Sequence, residues 1–192
     1  MAMKIDDLIK LVEESKRVVD SPGLESIILV QEDASLKSPG VEAHYYRFLY
    51  RLAQKMKAEL MLELGTHTGI SAACLAEGSP EGYVITVNNK EQLWAHCRRS
   101  NVRYVIQDSL IPLELPGRID ILFIDTNHDG LHAFKEFLIY ENKVAQNGVI
   151  LFDDITLNPE MIKFWSEFHP VGWERVELAA HGGAGFGAIV RK

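Results

Sequence analysis

Met61-Leu62-Glu63-Leu64-Gly65-Thr66-His67-Thr68-Gly69-Ile70-Ser71 reads as an apolar strand that passes through a glycine turn straight into a helix. Gly65 and Gly69 let the backbone bend sharply and approach a ligand closely, and the free N–H groups opening the next helix favour an anionic group. Turns of this kind lie at the carboxyl ends of parallel strands, where open α/β sheets bind their ligands. The spacing here is Gly-x-x-x-Gly, so the Gly-x-Gly-x-x-Gly fingerprint that accommodates a pyrophosphate is missing. His67 holds the middle position, and Glu63 at the strand end suits a cationic or hydroxylated ligand better than a diphosphate.

Outward from the turn, strand and helix patterns alternate. Short apolar runs at Tyr83–Val87, Val102–Ile106, Ile119–Asp125 and Val149–Phe152 predict strands; helical stretches are predicted at Glu91–Arg98 and from Leu131 to about Val144. That alternation implies a parallel sheet. Asp129 is placed to cap the 131–144 helix, and Asn158-Pro159-Glu160 supplies a cap, a first-turn proline and a dipole-matched acid for one more. Two last strands, near Trp173–Leu178 and Phe186–Arg191, have no helix between them and should pair antiparallel. Upstream, Ile5, Leu8, Ile9, Val12 and Val19 share a helical face, as do Tyr45, Phe48, Leu49, Leu52 and Met56. Residues 1–40 are read as a helical extension, either a lid or a dimer contact, on a single domain spanning 1–192.

Composition narrows the function. With 192 residues, 47% of them hydrophobic, the chain has enough for one well-buried core. A net charge of -7 argues against nucleic acid, and Arg98-Arg99 with Arg103 reads as a solvated helix end. Cys74 and Cys97 show neither metal-type nor redox-type spacing, which fits a reduced, cytoplasmic setting. No apolar run is long enough for a signal peptide or a membrane span.

Glu-Leu-Gly-Thr-His-Thr-Gly-Ile-Ser resembles the first motif of the class I methyltransferases that use S-adenosylmethionine, in particular the metal-dependent small-molecule O-methyltransferases of the catechol and caffeoyl-coenzyme A type. The resemblance extends over about residues 39–192. It implies a Rossmann-like α/β fold: a mostly parallel seven-stranded sheet, helices on both faces and a C-terminal antiparallel hairpin. It places Glu63, Gly65, His67 and Gly69 around the methionine portion of the cofactor, with Ser71 near its carboxylate. The second strand ends in Val87-Asn88-Asn89, where such folds usually carry an acid for the ribose hydroxyls. Asn88 can still donate and accept, without the charge-assisted part of the contact, so weaker or differently posed cofactor binding is expected; a plain turn residue is the alternative. Gln107-Asp108-Ser109 resembles the adenine-contacting segment, with Asp108 either accepting from the exocyclic amine or capping its own loop.

Asp125, Asp153 and Asp154 stand at the carboxyl ends of predicted neighbouring strands. Three clustered carboxylates repel unless a cation or protons intervene, and hard oxygen ligands suit Mg²⁺ or a similar divalent ion. The resemblance assigns metal ligation to these three positions; helix capping is the competing role. His128 lies three residues after Asp125, where catechol-type enzymes carry a lysine base. The resulting Asp-x-x-His also resembles methyltransferases of sugars and natural products, and neutral imidazole is a competent base near pH 7. His132 is placed on a solvated face, with a pocket wall as the alternative. Trp165, Phe168 and Trp173 are assigned to packing, with Trp165 alternatively lining an acceptor pocket. The loop His181-Gly182-Gly183-Ala184-Gly185 returns to the carboxyl edge of the sheet, either over substrate or as an ordinary hairpin loop. The resulting expectation is S-adenosylmethionine-dependent, metal-assisted O-methyl transfer to a small hydroxylated acceptor, in a soluble protein that forms a monomer or a homo-oligomer. The rival is a cofactor-binding module that kept the fold and lost turnover.

Overall fold

The computed structural model describes residues 3–17, 21, 23–24, 26–27, 41–91, 97–178 and 184–192, with only the backbone of 41–44. Helix α1 (Ile5–Ser15) and helix α2 (Val41–Met56) precede the central unit β1 (Leu60–Leu64), α3 (Ile70–Gly78) and β2 (Tyr83–Asn88). There follow β3 (Val102–Ile106), β4 (Ile119–Ile124), α4 (Gly130–Tyr140), β5 (Val144–Asp153), α5 (Pro159–Glu167), β6 (Trp173–Leu178) and β7 (Phe186–Arg191). The seven strands form one sheet in the order β3-β2-β1-β4-β5-β7-β6. β1 to β5 run parallel, and β7 enters antiparallel between β5 and β6. The parallel sheet and the antiparallel final pair are as the periodicity predicts.

Strand alternation sorts the core into two layers. Met61, Val84, Phe123, Val149 and Leu151 pack with Leu8, Leu11 and Val12 of α1, Phe48 and Leu49 of α2 and Ala72 and Leu75 of α3. Leu62, Leu64, Ile85, Leu122, Ile124, Ile150 and Phe152 face the other way, onto Phe137 and Tyr140 of α4 and Trp165 of α5. Because side chains on one face recur every second residue, Glu63, Asp125 and Asp153, each two residues beyond a first-layer side chain, come out on the α2–α3 face. An Asp7–Lys55 ion pair of 3.1 Å fastens α1 to α2 at the surface. Most of the rest of residues 1–40, the 92–96 part of the predicted 91–98 helix, and His181, Gly182 and Gly183 lie outside the described residues.

Both predicted caps are present. Asp129 accepts from Leu131 N at 2.8 Å and His132 N at 3.2 Å, and Asn158 accepts from Met161 N at 2.9 Å. The helix expected to reach Val144 stops earlier, at Tyr140, and a 3₁₀ turn, Glu141–Lys143, completes it. Val144 already pairs with Ile119, and the next pair is Val149 with Ile121, so the intervening residues form a bulge. Gly148 makes this bulge possible, since a Cβ there would stand 2.6 Å from Val144 Cγ1. Trp165 is core: it is 2% exposed, donates from Nε1 to Glu177 at 3.0 Å, and lies under Gly187. Cys74 and Cys97 are buried free thiols. No helix among the described residues is long and apolar enough to cross a membrane.

Candidate active site

The glycine turn is stitched to the strands on both sides. Gly65 N and Thr66 N donate to Val87 O at 2.8 and 3.2 Å, while Asp125 N donates to Leu64 O at 2.8 Å. Gly65 has φ +104°, and a Cβ on it would lie 1.6 Å from the Asp125 carbonyl oxygen. The turn after β1 and the loop after β4 therefore touch backbone to backbone, and only glycine permits it. Gly69, at φ +87°, opens α3, and His67 between them has φ +43°. A non-glycine residue held in that region marks a turn over-determined by its surroundings.

A cleft of about 650 Å³ opens over the carboxyl ends of β1, β2, β3, β4 and β5. Gly65, His67, Asn88, Asp108 and Ser109 line it, together with Asp125, His128, Asp153 and Asp154. Donor-side and acid-side residues expected from the sequence thus share one cavity. Glu63, Gly69 and Ser71 do not line it. Glu63 is fully buried and holds Thr86 Oγ1, which in turn lies 2.6 Å from Thr66 Oγ1. Asn88 Nδ2 donates to Lys90 O at 2.7 Å, and Asp108 Oδ1 accepts from Leu110 N at 2.9 Å. Both side chains thus carry turn contacts while facing the cleft.

Burial pushes the Glu63 carboxyl up from 4.5 to about 7, against the opposing pull of the Ser71 and Thr86 hydroxyls. The folded state therefore holds this proton more tightly than the unfolded chain. Stability from this group is fully present below about pH 4.5 and declines as pH rises towards 7, by roughly 3 kcal/mol in all. Glu63→Gln should remove that part of the slope, so the difference between variant and wild-type Tm should move in favour of the variant between pH 4.5 and 7.5. Thermal melts of both proteins across this range check it, and parallel curves would refute the assignment.

The oxygens of Asp125, Asp153 and Asp154 can all approach within 4.8 Å of one another. Burial, then the neighbouring carboxylates, raises the Asp125 carboxyl; burial and Asp154 push Asp153 up to about 8. Burial also raises Asp154, while His128 pulls it down. His128 Nδ1 lies 2.9 Å from Asp154 Oδ2, with side-chain exposures of 42% and 18%. Asp154 has φ +55°, so a strained backbone turns its carboxylate to the histidine. Such a set of crowded, partly buried carboxylates fits a hard divalent cation, which would relieve their mutual repulsion. Thr156 N and Ile155 N donate to Ala184 O and Gly185 O at 2.7 and 3.3 Å, so these two residues, the described end of the β6–β7 connection, lie at this edge.

His132 is the residue that periodicity misplaced. Its side chain is 17% exposed and lines the cleft; Nε2 lies 3.1 Å from both Ser109 Oγ and Glu136 Oε1. Glu136 is fully buried and accepts from Thr126 Oγ1 at 2.9 Å. A buried acid one turn beyond a histidine was the available signal, since an acid on a helix rarely goes inside without partners.

Comparison with known proteins finds methyltransferases. A family profile described as a methyltransferase domain matches residues 62–155, from β1 through the acid cluster. The chain is 28% identical over 152 residues to a catechol O-methyltransferase of Mycobacterium tuberculosis, covering 73% of this chain and 68% of that protein. It is 25% identical over 180 residues to an O-methyltransferase of Aspergillus hancockii, covering 88% of this chain and 66% of that protein. The chain thus spans about two thirds of the length of these two relatives. An O-methyltransferase of Bacillus cereus solved in complex with SAH superposes with a TM-score of 0.66 at 23% identity, over 98% of this chain and 100% of that one. The chain thus has the fold of that solved structure and, over residues 62–155, is similar to a methyltransferase domain. The two relatives named above are both O-methyltransferases.

Proposed function

We propose that the protein moves a methyl group from S-adenosylmethionine to a hydroxyl of a small acceptor, with His128 as base and a divalent cation such as Mg²⁺ held by Asp125, Asp153 and Asp154. The observation that carries this reading is the 2.9 Å pair between His128 Nδ1 and Asp154 Oδ2 at the acid end of the cleft. A carboxylate at Nδ1 fixes the tautomer with its proton there, leaving the Nε2 lone pair to accept. Half-exposed, that nitrogen can be reached by a substrate hydroxyl.

The residues divide the work. Gly65, His67, Asn88, Asp108 and Ser109 bind and orient the methyl donor along the cleft, Asn88 in place of the customary acid at the ribose. When bound, the cation supplies Lewis-acid polarisation of the acceptor oxygen, which lowers its pKa. His128 Nε2 takes the hydroxyl proton as the oxygen forms its bond to the methyl carbon and the carbon–sulfur bond breaks. The products are a methyl ether, S-adenosylhomocysteine and a protonated imidazole that returns its proton to water. Positioning dominates such a transfer, since no covalent enzyme intermediate is needed. The two buried free thiols support a reducing, cytoplasmic setting, and the reading treats residues 1–192 as one working domain.

The test is methyl transfer from labelled S-adenosylmethionine to small catechols, the acceptor class named by one relative. A chelator should lower turnover at least about 100-fold and Mg²⁺ should restore it. Undiminished turnover by a chelated Asp153→Ala, Asp154→Ala double variant would dispose of the metal.

A further inference from the structure

We propose that His132 is a positioning residue that clamps the nucleoside-binding wall of the cleft, so that cofactor affinity depends on a side chain outside the catalytic set. The proposal rests on the assignment of this cleft to S-adenosylmethionine, with its adenine against residues 107–109. Three separate segments meet at this histidine. Ser109 belongs to the loop after β3, Thr126 to the loop after β4, and His132 and Glu136 to α4. Ser109, Thr126 and His132 all line the cleft, and Glu136 sits behind them without solvent contact.

The contacts form a closed frame. Ser109 Oγ and Glu136 Oε1 both stand 3.1 Å from His132 Nε2, and Thr126 Oγ1 donates to Glu136 Oε2 at 2.9 Å. The same helix reaches the same loop a second time, through Tyr140 Oη, which donates towards Ile111 O at 3.3 Å and Ser109 O at 3.5 Å. Helix α4 thus holds the 107–111 loop at two points, one apolar-backed and structural, the other inside the cleft. Asp129 caps the first turn of this helix, which sets where His132 stands. Thr126 is adjacent to Asp125, so the frame joins the wall for the base to the start of the acid cluster.

One oxygen of the buried Glu136 accepts from Thr126, while the other, Oε1, has no hydrogen bond among the described residues and rests against the His132 imidazole. Replacing His132 by an apolar residue would take the ring nitrogen from Ser109, leave that oxygen facing carbon and release the loop. The ligand must then order that loop on binding, and affinity falls by the free energy of doing so.

The experiment is calorimetric titration of the full chain with S-adenosylhomocysteine and, separately, with adenosine. His132→Leu is expected to weaken both by about tenfold. His132→Gln, which retains a nitrogen donor, should recover to within about threefold of wild type. Ser109→Ala should show a comparable loss alone and add nothing to His132→Leu, because one broken frame cannot be broken twice. Ser109→Ala removes a single hydroxyl, so it keeps the test intact should the leucine variant fail to fold. Wild-type affinity in His132→Leu, failure of glutamine to do better than leucine, or losses that simply add would each overturn the clamp. A wild-type chain that binds neither ligand would instead remove the cofactor assignment on which the clamp stands.

Discussion

Gly65→Ala is expected to lose S-adenosylhomocysteine binding by more than about 100-fold and to melt roughly 5 to 20 °C below wild type. The new methyl would lie 1.6 Å from the Asp125 carbonyl oxygen, and an l-alanine is poorly suited to φ +104°. Backbone strain of this kind costs about 1 to 3 kcal/mol, and overpacking a rigid contact about as much again. Such a sum is a large part of the 5 to 15 kcal/mol typical of a whole fold. The obstacle is backbone and cannot swing aside as the tip of a side chain would. Relief must come from separating the loops after β1 and β4, which opens the donor turn and displaces the aspartate together. Calorimetry and thermal melting read the two effects. A variant that binds and melts like wild type would mean that the backbone contact is not what shapes the cleft.

His128→Ala should lower kcat by about 10² to 10⁴ while leaving the affinity for S-adenosylhomocysteine within about twofold. As the proposed base, His128 would act only on the acceptor proton, so donor binding should not depend on it. Unchanged turnover across neutral pH would end the base assignment, and a loss of donor affinity equal to the loss of turnover would recast His128 as part of the donor site. Steady-state kinetics with calorimetry separates these outcomes.

What could be read from the chain alone follows the range over which each signal acts. The strands of the sheet and the caps at Asp129 and Asn158 rest on residues a few positions apart, and they stand as predicted. The final antiparallel pair was equally visible, because the segment joining its strands is too short for a crossover helix. The helix expected to run to Val144 ended early because Val144 has a strand partner in Ile119, which helical periodicity cannot see. His132 was placed in solvent for the same reason: its partner Ser109 is 23 residues away, on a loop with no periodicity of its own. The position of Glu63 at a strand end suggests a ligand contact; its buried contact with Thr86, across the register of β1 and β2, is not legible locally. The grouping of Asp125, Asp153 and Asp154 was legible because parallel neighbours bring their carboxyl ends together by construction. The φ of +55° that aims Asp154 at His128 left no mark in the sequence.

The pairing of β1 with both β2 and β4 has a kinetic consequence. Met61 must find Val84 on one side and Ile121 on the other, and the second of these is a long-range closure of the sort that sets folding rates in parallel sheets. Until β4 docks, the carbonyl of Asp125 is not against Gly65, and no pocket exists for a ligand to recognise. On the proposed reading, adenosylmethionine in the medium has nothing to grip along the folding route and is expected not to hasten it. Once the sheet has closed, the same molecule would hold the two loops together and slow only the way out. It would then act as a brake on unfolding, with no part in assembly.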